Sequence, residues 1–340
     1  MHSLKKILSL SIAIVLSTAL FFLAFSLLLS PSLPEEGSPP RLYSLHTGDD
    51  ITITYSGAFA SAKESILIIV FSFTDDSLAA CLRARAAEGI PVTVVTDKRN
   101  AAAAAKILGP DIITISRVMP GLMHQKIVVI DEAMVFIGSA NMTTESLRMH
   151  DNIVVGVNSP SLADTIISRT VAFTMPPVRI PYTLRHHIIG SQDVEYFSLP
   201  EDREEAFTTI IDLINSATTT IKIAMFTWTH PVLAEAVIAA KDRGVDVEII
   251  VDYSSSRGAG KKIVATLRDA DLDVLTNQGP SLLHHKFLLV DNTTLVNGSL
   301  NWTKAAFKDN DECFLVIKNL STQQQHFMKK LWKNTTLEAR

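Results

Sequence analysis

The chain has 340 residues, 47% of them hydrophobic and 19% charged, with a formal net charge of −4. That length leaves room for two domains of about 150 residues, the composition excludes a disordered or fibrous chain, and the slight acidic surplus speaks against a general nucleic-acid binder. Cys81 and Cys313 are too few for a disulfide framework or a tetrahedral zinc cluster and read as small buried hydrophobes.

In chain order, residues 1–6 form a short cytoplasmic N-terminus with Lys5 and Lys6. The uncharged run 7–30 would be ~36 Å long as a helix, enough to cross a hydrocarbon core of about 30 Å, and reads as a transmembrane anchor or signal segment. The two lysines place the remainder of the chain on the extracytoplasmic side of a membrane. Residues 31–40, with Pro31, Pro34, Pro39 and Pro40, read as a stiff, solvated spacer.

From about Arg41 the chain repeats itself. ILIIVFSF at 66–73 and IKIAMFTW at 221–228 are continuous apolar runs of the kind buried on both faces of a sheet. Helical stretches follow at 76–88 and 232–243, each closed by a glycine, Gly89 or Gly244. Two more apolar strands then end in Asp97 and Asp252, strand-end aspartates that read as loop caps. These features recur at a constant offset of 155 residues, as from Ile66 to Ile221. Strand, helix, strand predicts parallel βαβ units and an α/β body. The expected architecture is two tandem similar lobes, each a mixed sheet flanked by helices, packed with pseudo-two-fold symmetry. The first lobe spans 41–175, a linker 176–190, and the second lobe 191–340.

Downstream the halves match more closely. The first reads His124-x-Lys126, four apolar residues, Asp131, then Gly138-Ser139-x-Asn141. The second reads His284-x-Lys286, four apolar residues, Asp291, then Gly298-Ser299-x-Asn301. Such a pattern arises by accident at roughly one in 10⁷–10⁸ per position, so two occurrences are not chance. Two-residue spacing at the start of a strand puts His124 and Lys126 on one face, and His284 and Lys286 likewise. His285 then points to the opposite face, into packing or to the surface. Asp131 and Asp291 open hairpin turns, where structural hydrogen bonding is the expected role. His186 and His187 show no ligand spacing.

At these residues the sequence resembles the phospholipase D superfamily, whose signature is this H-x-K-x4-D-x6-G-S-x-N element. The resemblance covers both motifs in full and, more loosely, residues 41–330. It implies phosphoryl transfer in two halves: one histidine attacks phosphorus, while the other protonates the leaving oxygen and then activates water. By the same resemblance His124 is the nucleophile and His284 the acid/base. Lys126, Lys286, Asn141 and Asn301, helped by Ser139 and Ser299, can bind the phosphate oxygens, so neither a divalent metal nor another cofactor is required. Relatives place a carboxylate eleven residues after the motif asparagine, which assigns Glu312 to His284. The equivalent place in the first half holds Asn152, leaving His124 to Asp151 or to the amide oxygen of Asn152.

Three functions stay open. The first is a membrane-anchored phosphodiesterase that hydrolyses a phospholipid headgroup ester to phosphatidate, monomeric because one chain holds both motifs. The second acts on nucleic acid, since GSLNWTKAAFKDNDE is similar to bacterial endonucleases of the superfamily. The third is a non-catalytic, membrane-tethered binding protein, opposed by the completeness of both motifs. Glycosylation sequons at Asn141 and Asn301 lie inside the motifs, which favours a bacterial envelope over a glycosylating lumen.

Overall fold

The structure, a computed structural model, describes residues 32–174, 185–279 and 281–339. The expected apolar anchor 7–30, most of the linker and Pro280 lie outside them. Among the described residues no helix is long and apolar enough to cross a membrane.

The first half runs β1 (Arg41–Tyr43), α1 (Ile51–Ser61), β2 (Ile66–Val70), α2 (Asp76–Ala87), β3 (Val92–Asp97), α3 (Ala101–Leu108), β4 (Ile113–Arg117), β5 (Lys126–Ile130), β6 (Met134–Gly138), α4 (Thr144–Arg148), β7 (Val154–Asn158) and α5 (Pro160–Thr174). The second runs β8 (His186–Ile189), β9 (Gln192–Leu199), α6 (Arg203–Ser216), β10 (Thr220–Met225), α7 (Pro231–Asp242), β11 (Asp246–Val251), α8 (Tyr253–Arg257), α9 (Lys261–Asp269), β12 (Val274–Thr276), β13 (Lys286–Val290), β14 (Thr294–Gly298), α10 (Lys304–Lys308), β15 (Glu312–Ile317) and α11 (Thr322–Glu338). Local chemistry sets the boundaries. Asp75 caps α2 by accepting from the Leu78 N–H at 3.0 Å, and Asp252 caps α8 through the Ser255 N–H at 2.9 Å.

Each half folds into one mixed sheet. The seven-stranded sheet is ordered β1-β7-β6-β5-β2-β3-β4 and the eight-stranded sheet β12-β11-β10-β13-β14-β15-β9-β8. Helical crossovers make β2, β3 and β4 parallel, as they do β10, β11 and β12. The motif strands are joined by tight hairpins and run antiparallel, β5 to β6 and β13 to β14. β5 then pairs antiparallel with the first parallel strand β2, and β13 with β10. This register sets Lys126 opposite Val70 and Lys286 opposite Met225, at the end where the parallel strands finish. That is where α/β folds open their sites.

The inner faces of the two sheets share a core. Ile127, Val129, Ile137 and Val155 of the first pack in one buried cluster with Phe287, Leu289, Leu315 and Ile317 of the second. Burying each such side chain contributes about 1.5–3 kcal/mol, so the lobes are bound as one body. A second cluster lies between the outer face of the eight-stranded sheet and helices α6, α7 and α9.

Two organisational expectations are revised. Pro34 and Pro40 are buried, and the Pro40 carbonyl accepts from Gln324 Nε2 at 2.6 Å. The segment is thus held to the body at Pro34 and Pro40, while Glu35, Glu36, Gly37 and Pro39 between them are exposed. Strand β8 falls inside the span assigned to the linker and forms the edge of the second sheet. Proline spacing marked the join but carried no information about an edge strand. Both cysteines are free and Cys313 is buried.

Candidate active site

The site is built where the residues just before β5 and β13 meet the opposite lobe. Asp97, at the end of β3, accepts from the Met123 N–H at 2.9 Å, and Asp252 accepts from the Leu283 N–H at 3.2 Å. These strand-end carboxylates fix the backbone immediately before His124 and His284. The same two segments bridge to the other half. Met123 pairs with Asp311 and Leu283 with Asp151. The His124 N–H donates to the Asp311 carbonyl at 2.8 Å, and the Asp151 N–H to the Leu282 carbonyl at 3.0 Å.

These bridges decide which residue supports which ring. His124 Nδ1 lies 2.9 Å from both carboxylate oxygens of Glu312. His284 Nδ1 lies 2.9 Å from Oδ1 of Asn152. The expected assignment of Glu312 to His284 and of Asp151 or Asn152 to His124 is thereby reversed. Each histidine is held by the lobe it does not belong to, because the chain before β15 and β7 is stitched to the opposite motif segment. Asp151 serves neither ring: its Oδ1 accepts from His46 Nε2 at 3.0 Å.

Ser139 and Ser299 also differ from expectation. Both are fully buried behind the histidines. The Ser299 hydroxyl donates to Glu312 Oε2 at 2.5 Å, and the Ser139 hydroxyl to Asn152 Oδ1 at 2.8 Å. With those protons committed, the serines hold the rings' partners and do not face a phosphate. The glycine before each serine has a packing reason. A Cβ on Gly138 would come 2.3 Å from the Ile153 carbonyl, and one on Gly298 would come 2.2 Å from the Cys313 carbonyl.

The lysines lie on the ring side. Lys126 Nζ donates to the His124 carbonyl, and Lys286 Nζ to the His284 carbonyl at 2.7 Å. Phe71 and Phe226 form the walls: Phe71 stands edge-on to His124 at 5.6 Å, and Phe226 lies 5.0 Å from His284. They occupy equivalent places in the repeat, as do Asp97 and Asp252, and that equivalence was available in the sequence as a signal. Asn301 Oδ1 accepts from the Thr227 N–H at 3.2 Å, which leaves its Nδ2 for a ligand. Asn141 Oδ1 is buried without a partner among the described residues. Asp131 and Asp291 do what their turn positions predict. Asp131 accepts from the N–H groups of Lys63, Glu64 and Ser65, and Asp291 from those of Thr218, Thr219 and Thr220.

The electrostatics couple the two motifs. Burial lowers the His124 pKa; Glu312 opposes this, while Lys126 and Lys286 add to it. Burial drives His284 well below the ordinary imidazole value, and Lys286, Lys126, His124 and His150 push the same way. Each lobe's lysine thus acts on the other lobe's histidine. Burial brings Lys126 down to about 8 and Lys286 well below its ordinary value. Burial pushes Glu312 up, but His124, Lys126 and Ser299 outweigh it and keep the carboxylate ionised. A phosphodiester anion among these groups would raise the bases again. Two imidazoles and two lysines suit an anion, not a metal ion. His46, Asp151 and Glu338 have ligand atoms within 4.8 Å of one another, and so do His186, Asp193 and Glu195; neither group includes a motif residue. His285 is buried against Phe287, on the face away from the motif histidine.

Comparison with known proteins places the site in context. The family model described as "Cardiolipin synthase, PLD-like domain" matches residues 55–170 and 210–334. A mitochondrial cardiolipin hydrolase from Xenopus tropicalis is 35% identical over 133 residues, which cover 38% of this chain and 62% of that relative, less than two thirds of its length. A phospholipase D from Rickettsia prowazekii (strain Madrid E) is 24% identical over 162 residues, covering 44% of this chain and 78% of the relative. The solved phosphatidylserine synthase of Haemophilus influenzae Rd KW20 superposes with a TM-score of 0.70 at 16% identity, over 91% of this chain and 89% of its own, which is a likeness of fold.

Proposed function

The chain belongs to the phospholipase D superfamily, through its cardiolipin synthase, PLD-like domain, and on that premise we propose that it is a phosphodiesterase hydrolysing a phospholipid headgroup ester to phosphatidate through a phosphohistidine. The supporting observation is the pair of supported imidazoles, His124 on Glu312 and His284 on Asn152, each held from the other lobe. An ionised carboxylate only accepts, so His124 Nδ1 carries the proton and Nε2 presents a bare lone pair.

In the first half-reaction His124 Nε2 bonds to phosphorus, the bond from phosphorus to the headgroup oxygen breaks, and His284 gives that oxygen its Nε2 proton. In the second, water passes a proton to His284 while its oxygen bonds to phosphorus and the N–P bond breaks. Lys126, Lys286 and the Asn301 amide supply donors for the equatorial oxygens. The apolar run 7–30 and the lysines before it support a tether that keeps the body at the extracytoplasmic face of a membrane. Lipid is preferred over nucleic acid because such a tether delivers lipid and the chain has a net charge of −4.

The test is headgroup release by the full chain in detergent micelles, from phosphatidylcholine, phosphatidylethanolamine and cardiolipin, with a chelator present. Release that persists in chelator, with a labelled phosphoenzyme lost in His124→Ala, is the expected result. Cleavage of single-stranded DNA without headgroup release, falling steeply as salt rises, would replace the lipid reading with the nucleic-acid one.

A further inference from the structure

The two imidazoles are not equivalent. Glu312 and Asn152 occupy matching places in the repeat, 160 residues apart like His124 and His284. One is a carboxylate and the other an amide. The first lobe is built around the amide: Asn152 Nδ2 donates to the Ser146 carbonyl at 2.7 Å and to the His150 carbonyl at 3.2 Å. Those two acceptors turn Oδ1 toward His284, where it also receives the Ser139 hydroxyl. In the second lobe the corresponding position offers a donor, with Asn310 Nδ2 3.2 Å from Glu312 Oε1.

We propose that Asn152 is a positioning residue that limits the protonated fraction of the acid: the neutral amide behind His284 accepts from its Nδ1 without supplying the negative charge that would hold an imidazolium. This rests on the functional reading above, in which His284 is the acid.

The groups around the ring agree. Lys286 from its own strand, Lys126 from β5, His124 before β5 and His150 after α4 are all bases, and Phe226 after β10 is apolar. The nearby carboxylates are engaged elsewhere. Glu312 holds His124 and Ser299, Asp151 is paired with His46, and Asp252 accepts from Ser254, Ser255 and Leu283. Among the described residues no carboxylate supports an imidazolium at position 284, so burial acts unopposed. The reacting form has His124 free of a proton and His284 protonated; with His284 the weaker base this form is a minor fraction at every pH, and the height of the profile reports how far apart the two rings titrate.

The experiment is the pH profile of kcat/KM for headgroup release by the full chain in micelles, compared with that of Asn152→Asp. The unmodified chain should lose activity on the alkaline side from below about pH 6.5, the ordinary imidazole value. Asn152→Asp should lift the maximum of kcat/KM roughly tenfold for each pH unit by which His284 rises toward His124, through the larger fraction of protonated acid. A maximum that fails to rise in the folded variant, with the His284 ring titrating where it does in the unmodified chain, would overturn the proposal, since a purely structural role leaves that titration in place.

An aspartate at 152 sets an oxygen against the Ser146 and His150 carbonyls and can prevent folding. Histidine-ring NMR titration of the unmodified chain, assigned with His284→Gln, therefore decides independently. A His284 ring titrating below about 6.5 supports the proposal, and one at or above it sinks the idea. If no lipid is hydrolysed at any pH, the functional reading fails while the titration still judges the role of Asn152.

Discussion

Ser299 and Ser139 sit at equivalent positions and donate to unequal partners. Ser299 gives its proton to ionised Glu312, and Ser139 to the neutral amide of Asn152. A hydrogen bond to a charged group is worth about 1.5–3 kcal/mol, and a neutral one about 0.5–1.5. Ser299→Ala should therefore cost roughly 10–100-fold in kcat/KM and Ser139→Ala about tenfold or less. Steady-state kinetics on the two variants, with circular dichroism to confirm folding, makes the comparison. Equal losses would show that the carboxylate behind His124 has no special role. At this scale the sequence revealed which residues matter but not what several of them do. The serines read as phosphate donors because their spacing from the asparagines suits a shared face. Only the positions of Glu312 and Asn152 showed where their protons go.

Among the elements, the motif hairpins carry the most constraint. Asp131, Glu132, Asp291 and Asn292 all have left-handed φ between 49° and 55°, the conformation a two-residue hairpin turn demands. Each turn aspartate also ties its hairpin to the chain entering the neighbouring parallel strand, Asp131 before β2 and Asp291 before β10. Its three N–H bonds hold the Asp291 carboxyl far below the usual range although burial opposes this. Asp291→Ala should destabilise the fold by about 1–3 kcal/mol while leaving KM unchanged. Urea denaturation measures the first and headgroup-release kinetics the second. A large KM change with intact stability would give Asp291 a direct role toward substrate. The turns were legible because an Asp-Glu or Asp-Asn pair between apolar runs is a local signal. Their partners, 66 to 73 residues upstream, were not.

Across the whole molecule, buried histidines link stability to pH. Burial lowers His124, His284 and His285 in the folded state. As pH falls, the unfolded chain protonates these rings first, near 6.5, so their contribution to stability is lost below about pH 6.5. His46, raised by Asp151 and Glu338 against burial, runs the other way, as does Asp311, which burial raises to about 6. Their stabilisation is present at low pH and lost as pH rises through their folded values. Burial lowers His150 and His230 as well, so five lowered rings against two raised groups predict a net loss of stability from pH 7.5 to pH 5, measured as a falling urea midpoint. His285 makes a further test, because both its ring nitrogens are buried without partners among the described residues. His285→Phe should raise the midpoint, and more so at pH 5. A midpoint that rises toward pH 5 would show that His46 and Asp311 dominate.

The sequence alone determined the duplication, the α/β class, the two motifs and the six residue types that each carries, because periodicity, turn chemistry and fixed spacing are local properties of a chain. It could not determine which lobe supports which histidine. His124 and Glu312 are 188 residues apart, and Asn152 and His284 are 132 apart. Contacts at that separation exist only once two sheets have buried a common core and brought the segment before each motif strand against the other half. The carboxylate behind one ring and the amide behind the other follow from that packing.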